Sequence, residues 1–406
     1  MADARPAGPI NSKLLLAVYL PTLLLALCNG LLVPTLPVFA SALEISYGLV
    51  GLILAGDSIG MLLADVPAGA LLRRIGMKRA MLLGLTLAGL SVLGLAFTDN
   101  ALLVVFLRVI AGAGAALFNI SRHVYLTEEL PVASRGRAIA LFGGTNRFGE
   151  FIGPLAGGFI AAGFGLGATF MVYAGLALLT LILCWRYVER QVTVPRDPAA
   201  GRMDAVRLLA DTVRSQRGVL IPAGLGQLGA QAIRTGRRVL IPLFAADVLG
   251  LSVEQVGVIV SIAALADFLL FYPAGVIMDR YGRKFAIVPS FLVQALSLLL
   301  LPFTGGFSSL LIVAAIGGLG NGIGSGTMLT LGSDLAPKER TGEFLGVWRL
   351  IGDVGAATGP LLVGGFAQLL GLGPSAGAIA AMGAAGSLLF AYRVRETLVK
   401  PGSYRS

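Results

Sequence analysis

The stretch PAGALLRRIGMKRA at residues 67–80 returns 206 residues later as PAGVIMDRYGRKFA at residues 273–286. The same offset carries the GPL of residues 153–155 onto the GPL of residues 359–361, and Pro131 onto Pro337. Three independent matches at one spacing mark an internal duplication, so two copies of one structural unit are expected. The surrounding chain is apolar: of 406 residues, 56% are hydrophobic and only 13% charged. A soluble protein of this size needs a larger charged surface, which makes lipid the expected solvent. The 56 glycines suit helices that pack backbone to backbone in a bilayer.

Apolar runs occupy residues 14–38, 49–71, 80–98, 101–122, 138–162, 167–187, 218–246, 255–277, 286–303, 309–332, 344–368 and 375–392. Each is long enough to cross a ~30 Å hydrocarbon core as a helix. The expectation is an all-α membrane protein of twelve transmembrane helices in two pseudo-symmetric six-helix bundles, residues 1–187 and 218–406. Residues 1–13 are short and polar, with no small-residue cleavage site after the first apolar run, so that run reads as a retained span rather than a signal. Residues 188–217 read as a cytoplasmic linker. Within it Met203, Val206, Leu209 and Val213 recur at helical spacing opposite Arg202, Arg207, Asp211 and Arg214, the pattern of an amphipathic helix on the membrane surface.

A formal charge of +10 would suit nucleic acid, but its distribution excludes that partner. With both termini inside, 25 of the 31 lysines and arginines fall on the inner face, Arg122 counted among them at the end of the fourth span. The other six, Arg108, Arg147, Arg234, Arg237, Arg238 and Arg349, lie within spans. This asymmetry is what the positive-inside rule requires, and it predicts an inner (plasma) membrane protein with cytoplasmic termini. Cys28 and Cys184 sit in separate apolar spans and read as packing residues. His123, the lone histidine, reads as an interfacial residue. No metal-ligand spacing, nucleotide loop or catalytic triad occurs, so neither enzyme activity nor a cofactor is expected.

GVIMDRYGRK at residues 275–284, RVIAG at 108–112 and GEFIGPLAGG at 149–158 together resemble the major facilitator superfamily. The resemblance covers essentially the whole chain. The first stretch is similar to that family's signature loop, whose first-half copy here carries Arg73 in place of the acid. The second resembles its fourth-helix arginine motif. The third resembles the fifth-helix motif of the twelve-span drug:proton antiporter branch. The resemblance implies the major facilitator fold, alternating access, and efflux as the function. One departure bears on coupling: the first span offers Asn29 ahead of Pro34 and Pro37, with no acid where some proton-coupled exporters place one.

Ionisable residues within spans are costly and mark functional sites. Glu150 and Asp353, near the middle of their spans, are the first candidates for proton coupling, with Asp57 third. Arg147 precedes Glu150 by three residues and Arg349 precedes Asp353 by four, so each pair shares a helix face. Substrate-cavity candidates are Asn29, Arg108, Arg147, Gln231, Arg234, Asp267 and Arg349. The seventh span, with Arg234, Arg237 and Arg238 around Gly236 and ahead of Pro242, reads as an interrupted helix of the kind that surrounds transporter sites. Its three arginines give a cavity with spare positive charge, or Arg237 and Arg238 reach outer-face water or phosphate headgroups by snorkelling. Gly149, Gly153, Gly157 and Gly158 recur on about one face for close helix approach, and Pro154 removes a backbone donor there. The glycine-rich 317–326 tract reads as packing inside an apolar span.

At the 206-residue offset Arg73 corresponds to Asp279 and Arg137 to Glu343, with the sign reversed at both positions. In the architecture that the resemblance implies, these would pair as a cytoplasmic gate, Arg73 with Glu343 and Arg137 with Asp279. The leading functional expectation is proton-coupled efflux of small amphipathic or anionic molecules. An uncoupled facilitator or lipid carrier of the same fold, and a solute receptor, remain open. Expected partners are a small-molecule substrate, protons and membrane lipids; the chain is expected to be monomeric. Cysteines placed at Thr98 or Gly305 should react with an impermeant thiol reagent on intact right-side-out cells, and those at Gly76 or Ala199 should not; labelling of the second pair would overturn the topology.

Overall fold

A computed structural model describes residues 15–129, 132–188 and 211–398, with side chains described for all of these except residues 66, 126–129, 132–140 and 339. Every regular element among the described residues is helical. A π-turn at Leu15–Tyr19 leads into α1 (Leu20–Ala42), followed by α2 (Tyr47–Ile75), α3 (Met77–Leu95), α4 (Ala101–Glu129), α5 (Val132–Phe164) and α6 (Leu166–Tyr187). The second half comprises α7 (Arg217–Leu243) with a π-turn at Phe244–Val248, α8 (Val253–Tyr281), α9 (Arg283–Leu300) and α10 (Phe307–Ile323). It continues with α11 (Thr327–Leu335), α12 (Thr341–Leu370) and α13 (Leu372–Tyr392). Ten candidate spans among these are long and apolar enough to cross a bilayer. The other two expected spans, α5 and α7, have length to spare at 33 and 27 residues but a larger polar and charged share.

The duplication is legible in the turns. Gly76 and Gly282 separate the second and third helices of each half, and Gly165 and Gly371 the fifth and last, all with φ between 82° and 120°. Each pair is 206 residues apart, and such positive φ favours glycine because a Cβ would be strained. Just after the first pair, Lys78 Nζ donates to the Trp185 carbonyl and Lys284 Nζ to the Ala391 carbonyl, again equivalent positions. Each lysine thereby binds orphan acceptors near a helix C-terminus.

Glycines set the helix–helix distances in the same repeated way. A methyl group on Gly30 of α1 would lie 2.7 Å from the Gly153 Cα of α5, and one on Gly359 of α12 would lie 2.9 Å from the Gly236 nitrogen of α7. A methyl on Gly112 would sit 1.9 Å from the Asp57 carbonyl oxygen, and one on Gly318 would sit 2.1 Å from that of Ala263. Gly149 and Gly157 also face α1, against Ala26 and Leu31, while Gly158 turns to the start of α8 at Gly257. Gly364 makes the equivalent approach to Gly51.

Those last two contacts account for a departure from the expected domain boundaries. The chain divides into two compact units, each one sequence half with a short exchange. Ser46–Ala55 belongs to the second-half unit and Ser252–Ser261 to the first-half unit. The exchanged segments are themselves related by the 206-residue offset.

Two readings of helix continuity are corrected. The seventh span is not interrupted at Gly236: α7 runs unbroken from Arg217 to Leu243, and Gly236 is where α12 seats. The tenth span, expected to run continuously over 309–332, breaks instead. α10 ends at Ile323, Gly326 adopts φ 74°, and α11 begins at Thr327. Snorkelling does not describe Arg237, which is 7% exposed and packs against Gly317; Arg238 is exposed. Of the proposed amphipathic linker, residues 189–210 lie outside the described residues, and residues 211–215 are helical.

At the second-half signature loop Arg283 binds Asp334 at 2.8 Å and Asp279 at 3.1 Å. Glu396 accepts from the Arg283 and Lys284 backbone nitrogens at 2.9 and 3.0 Å. Partial burial works against the ionised Glu396, but the N–H groups of Lys284, Leu398, Arg283 and Thr397 outweigh it and hold the carboxyl below its usual range. Of the expected gate residues, Arg73 is exposed, Glu343 lies in the first turn of α12, and the Arg137 side chain lies outside those described. Gly112→Ala and Gly318→Ala should each destabilise the detergent-purified protein by about 1–3 kcal/mol, the usual overpacking range. Gly175→Ala, with nothing within 4 Å of its Cβ, should leave the unfolding temperature unchanged or raised; three equal responses would refute glycine-set packing.

Candidate functional site

The first-half unit contains an open cavity of about 170 Å³ between α1, α3, α4, α5 and α6. Its back wall forms where Gly84 and Gly114 let α3 and α4 approach, a methyl on Gly84 falling 2.5 Å from the Gly114 carbonyl oxygen. Leu25, Leu85 and Ala88 supply apolar patches in a lining that is otherwise mostly polar. Into this space project Asn29 from α1, Asn119 and Arg122 from α4, Asn146 and Glu150 from α5, and Tyr173 from α6. Asn146 Nδ2 donates to Glu150 Oε1 at 3.1 Å, a one-turn pairing that orients the carboxylate. Pro154 lacks an N–H, so the Glu150 carbonyl has no intrahelical donor one turn ahead.

Arg122 is the least expected member. It is 8% exposed, and its guanidinium lies 5.2 Å from the Phe118 ring centroid and 4.6 Å from that of Phe142. Its one hydrogen bond runs from Nη2 to Asn119 Oδ1 at 2.9 Å, and Nε has no hydrogen-bond partner. No carboxylate forms an ion pair with it among the described residues. Cation–π contacts of this kind contribute roughly 0.5–2 kcal/mol each. They hold a buried charge in place without neutralising it. The sequence counted Arg122 as an inner-face charge; the available signal was Phe118, Asn119 and Arg122 sharing one face of an apolar helix.

Arg108 and Asp57, named separately from sequence, meet in the same unit at 3.6 Å. Gly56 and Gly112 bring α2 and α4 together at that level, which is the physical content of the arginine–x3–glycine spacing. Neither residue lines the cavity. Arg147 is half-buried on α5 and also lies off the cavity lining, whereas Asn29 and Glu150 are on it. His123 is exposed, 6.2 Å from the Phe142 ring.

In the second-half unit the candidate residues serve the broken helix. Arg234 Nη2 donates to the Gly324 carbonyl at 2.9 Å and Nη1 to Gln231 Oε1 at 3.3 Å, with the guanidinium 5.2 Å from the Phe291 ring. Asp267 accepts from Asn321 Nδ2, in the last turn before the break, at 3.0 Å and from Ser325 Oγ, within the break, at 3.3 Å. Arg237 lies within electrostatic reach of that carboxylate. Such partners answer the need of a break at membrane depth, where freed backbone groups require internal partners. Arg349 and Asp353 pair along α12 at 3.5 Å. No cluster of three or more metal-ligating side chains exists among the described residues.

The sequence profile of the Major Facilitator Superfamily matches residues 18–233 and again residues 223–405, once per half. The chain belongs to that superfamily. It is 24% identical over 293 residues to Multidrug resistance protein 2 of Bacillus subtilis (strain 168), covering 70% of this chain and 71% of that one. It is also 24% identical to the Multi-drug resistance efflux pump PmrA homolog of Lactococcus lactis subsp. lactis (strain IL1403), over 82% of this chain and 83% of that one. Among solved structures, a D-xylose-proton symporter superposes with a TM-score of 0.73 at 19% identity, over 95% of this chain and 98% of that one. A peptide transporter gives 0.77 at 16% identity, over 95% of each chain. The all-α major facilitator fold stands, and the expected resemblance to the drug:proton antiporter branch is met by relatives named for multidrug resistance. This is a multi-pass membrane transporter and not an enzyme.

Removing Asp57 leaves Arg108 buried without its counter-ion. Asp57→Asn should therefore cost on the order of 2 kcal/mol, less than the ~3–5 kcal/mol of a fully buried pair because the carboxylate is 36% exposed. Adding Arg108→Met should recover most of that loss in the unfolding temperature. Additive losses would show that the pair is not a coupled unit.

Proposed function

We propose that this transporter exports small amphipathic or anionic molecules in exchange for protons, by alternating access, from an inner (plasma) membrane with both termini in the cytoplasm. All twelve spans, α5 and α7 included, cross the bilayer in this reading. The observation that carries it is the position of Glu150. This carboxylate of the fifth helix lines the first-half cavity beside Asn29, in the motif whose glycines seat α5 on α1. Of the three coupling candidates it alone lies on that cavity lining. Asp57 is engaged by Arg108 and Asp353 by Arg349 within their own units. Similarity to proteins named for multidrug resistance supports the efflux direction.

In this mechanism Glu150 holds a proton in one access state and releases it in the other, and substrate occupies the cavity between those events. In proteoliposomes with an imposed pH gradient, transport of a permanently charged amphipathic dye should be gradient-driven. Ethidium and a naphthalene sulfonate supply the two signs. Glu150→Gln should abolish that flux at least tenfold while retaining gradient-independent exchange. Full gradient-driven transport by a well-folded Glu150→Gln variant would remove it from the coupling step.

A further inference from the structure

We infer that Arg122 is an anion-recognition residue, and that the first-half cavity takes a small organic monoanion, a carboxylate or sulfonate. The inference rests on the transporter reading above but not on its coupling step. The observation is the state of the guanidinium: 8% exposed, on the cavity wall, with one neutral amide as hydrogen-bond partner and no acid paired to it among the described residues. A buried cation ordinarily takes a carboxylate partner from its own chain. Arg108, the other buried arginine of α4, does so with Asp57. Arg122 does not.

Geometry restricts what can approach the guanidinium. Phe118 and Phe142 lie over the guanidinium, and Asn119 takes Nη2. Nε, itself enclosed, has no acceptor, so the bond to Asn119 is the guanidinium's one hydrogen bond among the described residues. A guanidinium edge presents two parallel N–H groups, the fork that carboxylate and sulfonate oxygens match. The same pocket, of about 170 Å³, is lined by the polar Asn29, Asn119, Asn146 and Glu150 along with Leu25, Leu85 and Ala88, so a small ligand with polar groups beyond its acid is accommodated. Glu150 faces the same cavity without forming an ion pair to Arg122, so the anionic group is assigned to the Arg122 side.

The test is binding of benzoate, with benzamide as its neutral isostere, to the full-length protein at pH 7, by calorimetry and thermal shift. Benzoate should bind at least tenfold tighter than benzamide. Arg122→Gln should remove that preference, and Arg122→Lys should retain only part of it, since lysine keeps the charge and loses the fork. If Arg122→Gln does not fold, the arginine-bearing Ala115→Cys variant locates the site. Benzoate, but not benzamide, should slow alkylation of that cavity-wall thiol. An anionic lipid offers the same chemistry, so binding is repeated in phosphatidylcholine nanodiscs with and without phosphatidylglycerol. Unchanged benzoate affinity supports a soluble ligand, and competition by the lipid overturns it. Equal affinity for benzoate and benzamide, no benzoate binding, or full benzoate affinity in folded Arg122→Gln would also overturn the inference. Loss of gradient-driven flux in Glu150→Gln with Arg122-independent binding would leave the exporter standing without its anion site. Arg122-dependent binding without any gradient-driven flux would do the reverse.

Discussion

The contact on which the rest of the structure depends is a glycine laid directly on a neighbouring helix backbone. In a bilayer no hydrophobic driving force gathers apolar helices, so their association rests on close packing and internal hydrogen bonds. Where a methyl on Gly112 would sit 1.9 Å from the Asp57 carbonyl, and one on Gly318 would sit 2.1 Å from that of Ala263, the two helices touch main chain to main chain. Each half repeats this at equivalent positions, including Gly30 with Gly153 and Gly236 with Gly359. The glycines fix which helices can meet and at what level, and the polar side chains are positioned as a consequence. Arg108 reaches Asp57 because Gly56 and Gly112 remove the bulk between their helices.

The shared steric frame carries different charges in its two halves. At the 206-residue offset Asp57 corresponds to Ala263 and Arg108 to Ala314, so the first-half ion pair has no second-half counterpart. Conversely Asp267 corresponds to Met61 and Arg234 to Cys28. Duplication preserved the residues that set distances, while those that set charge diverged. A transporter gains from that divergence, since one half can hold a recognition group where the other holds only structure.

The duplication, the spans and the arginine–x3–glycine element were legible because each depends on local sequence: apolar length, repeated strings and fixed spacing. Legibility failed where the deciding partner came from another helix. Gly236 reads as a break when only α7 is considered, and becomes a seat once Gly359 lies against it. Gly324 and Gly326 read as packing residues, yet the helix breaks there, with Arg234 and Asp267 supplying partners from other helices to Gly324 and Ser325. Arg122 was counted with the inner-face charges because position in the chain marks depth poorly at a span end. Only the Phe142 ring of α5, together with the neighbouring helices, places it inside.

The two unexpected features answer each other. The break in the tenth span falls at Gly324–Gly326, whose first-half equivalents are Phe118, Asn119 and Ile120 of the unbroken α4. In the second half a guanidinium from α7 is taken up by the carbonyl that the break frees, and an aromatic ring, Phe291, lies against it. In the first half α4 keeps its own hydrogen bonds, and Met328 is replaced at the equivalent position by Arg122. That guanidinium also lies against aromatic rings, but it has no main-chain carbonyl to bind. An arginine at this level is therefore structural in one half and open to a ligand in the other. What separates the two roles is whether a broken helix frees a main-chain carbonyl for the guanidinium.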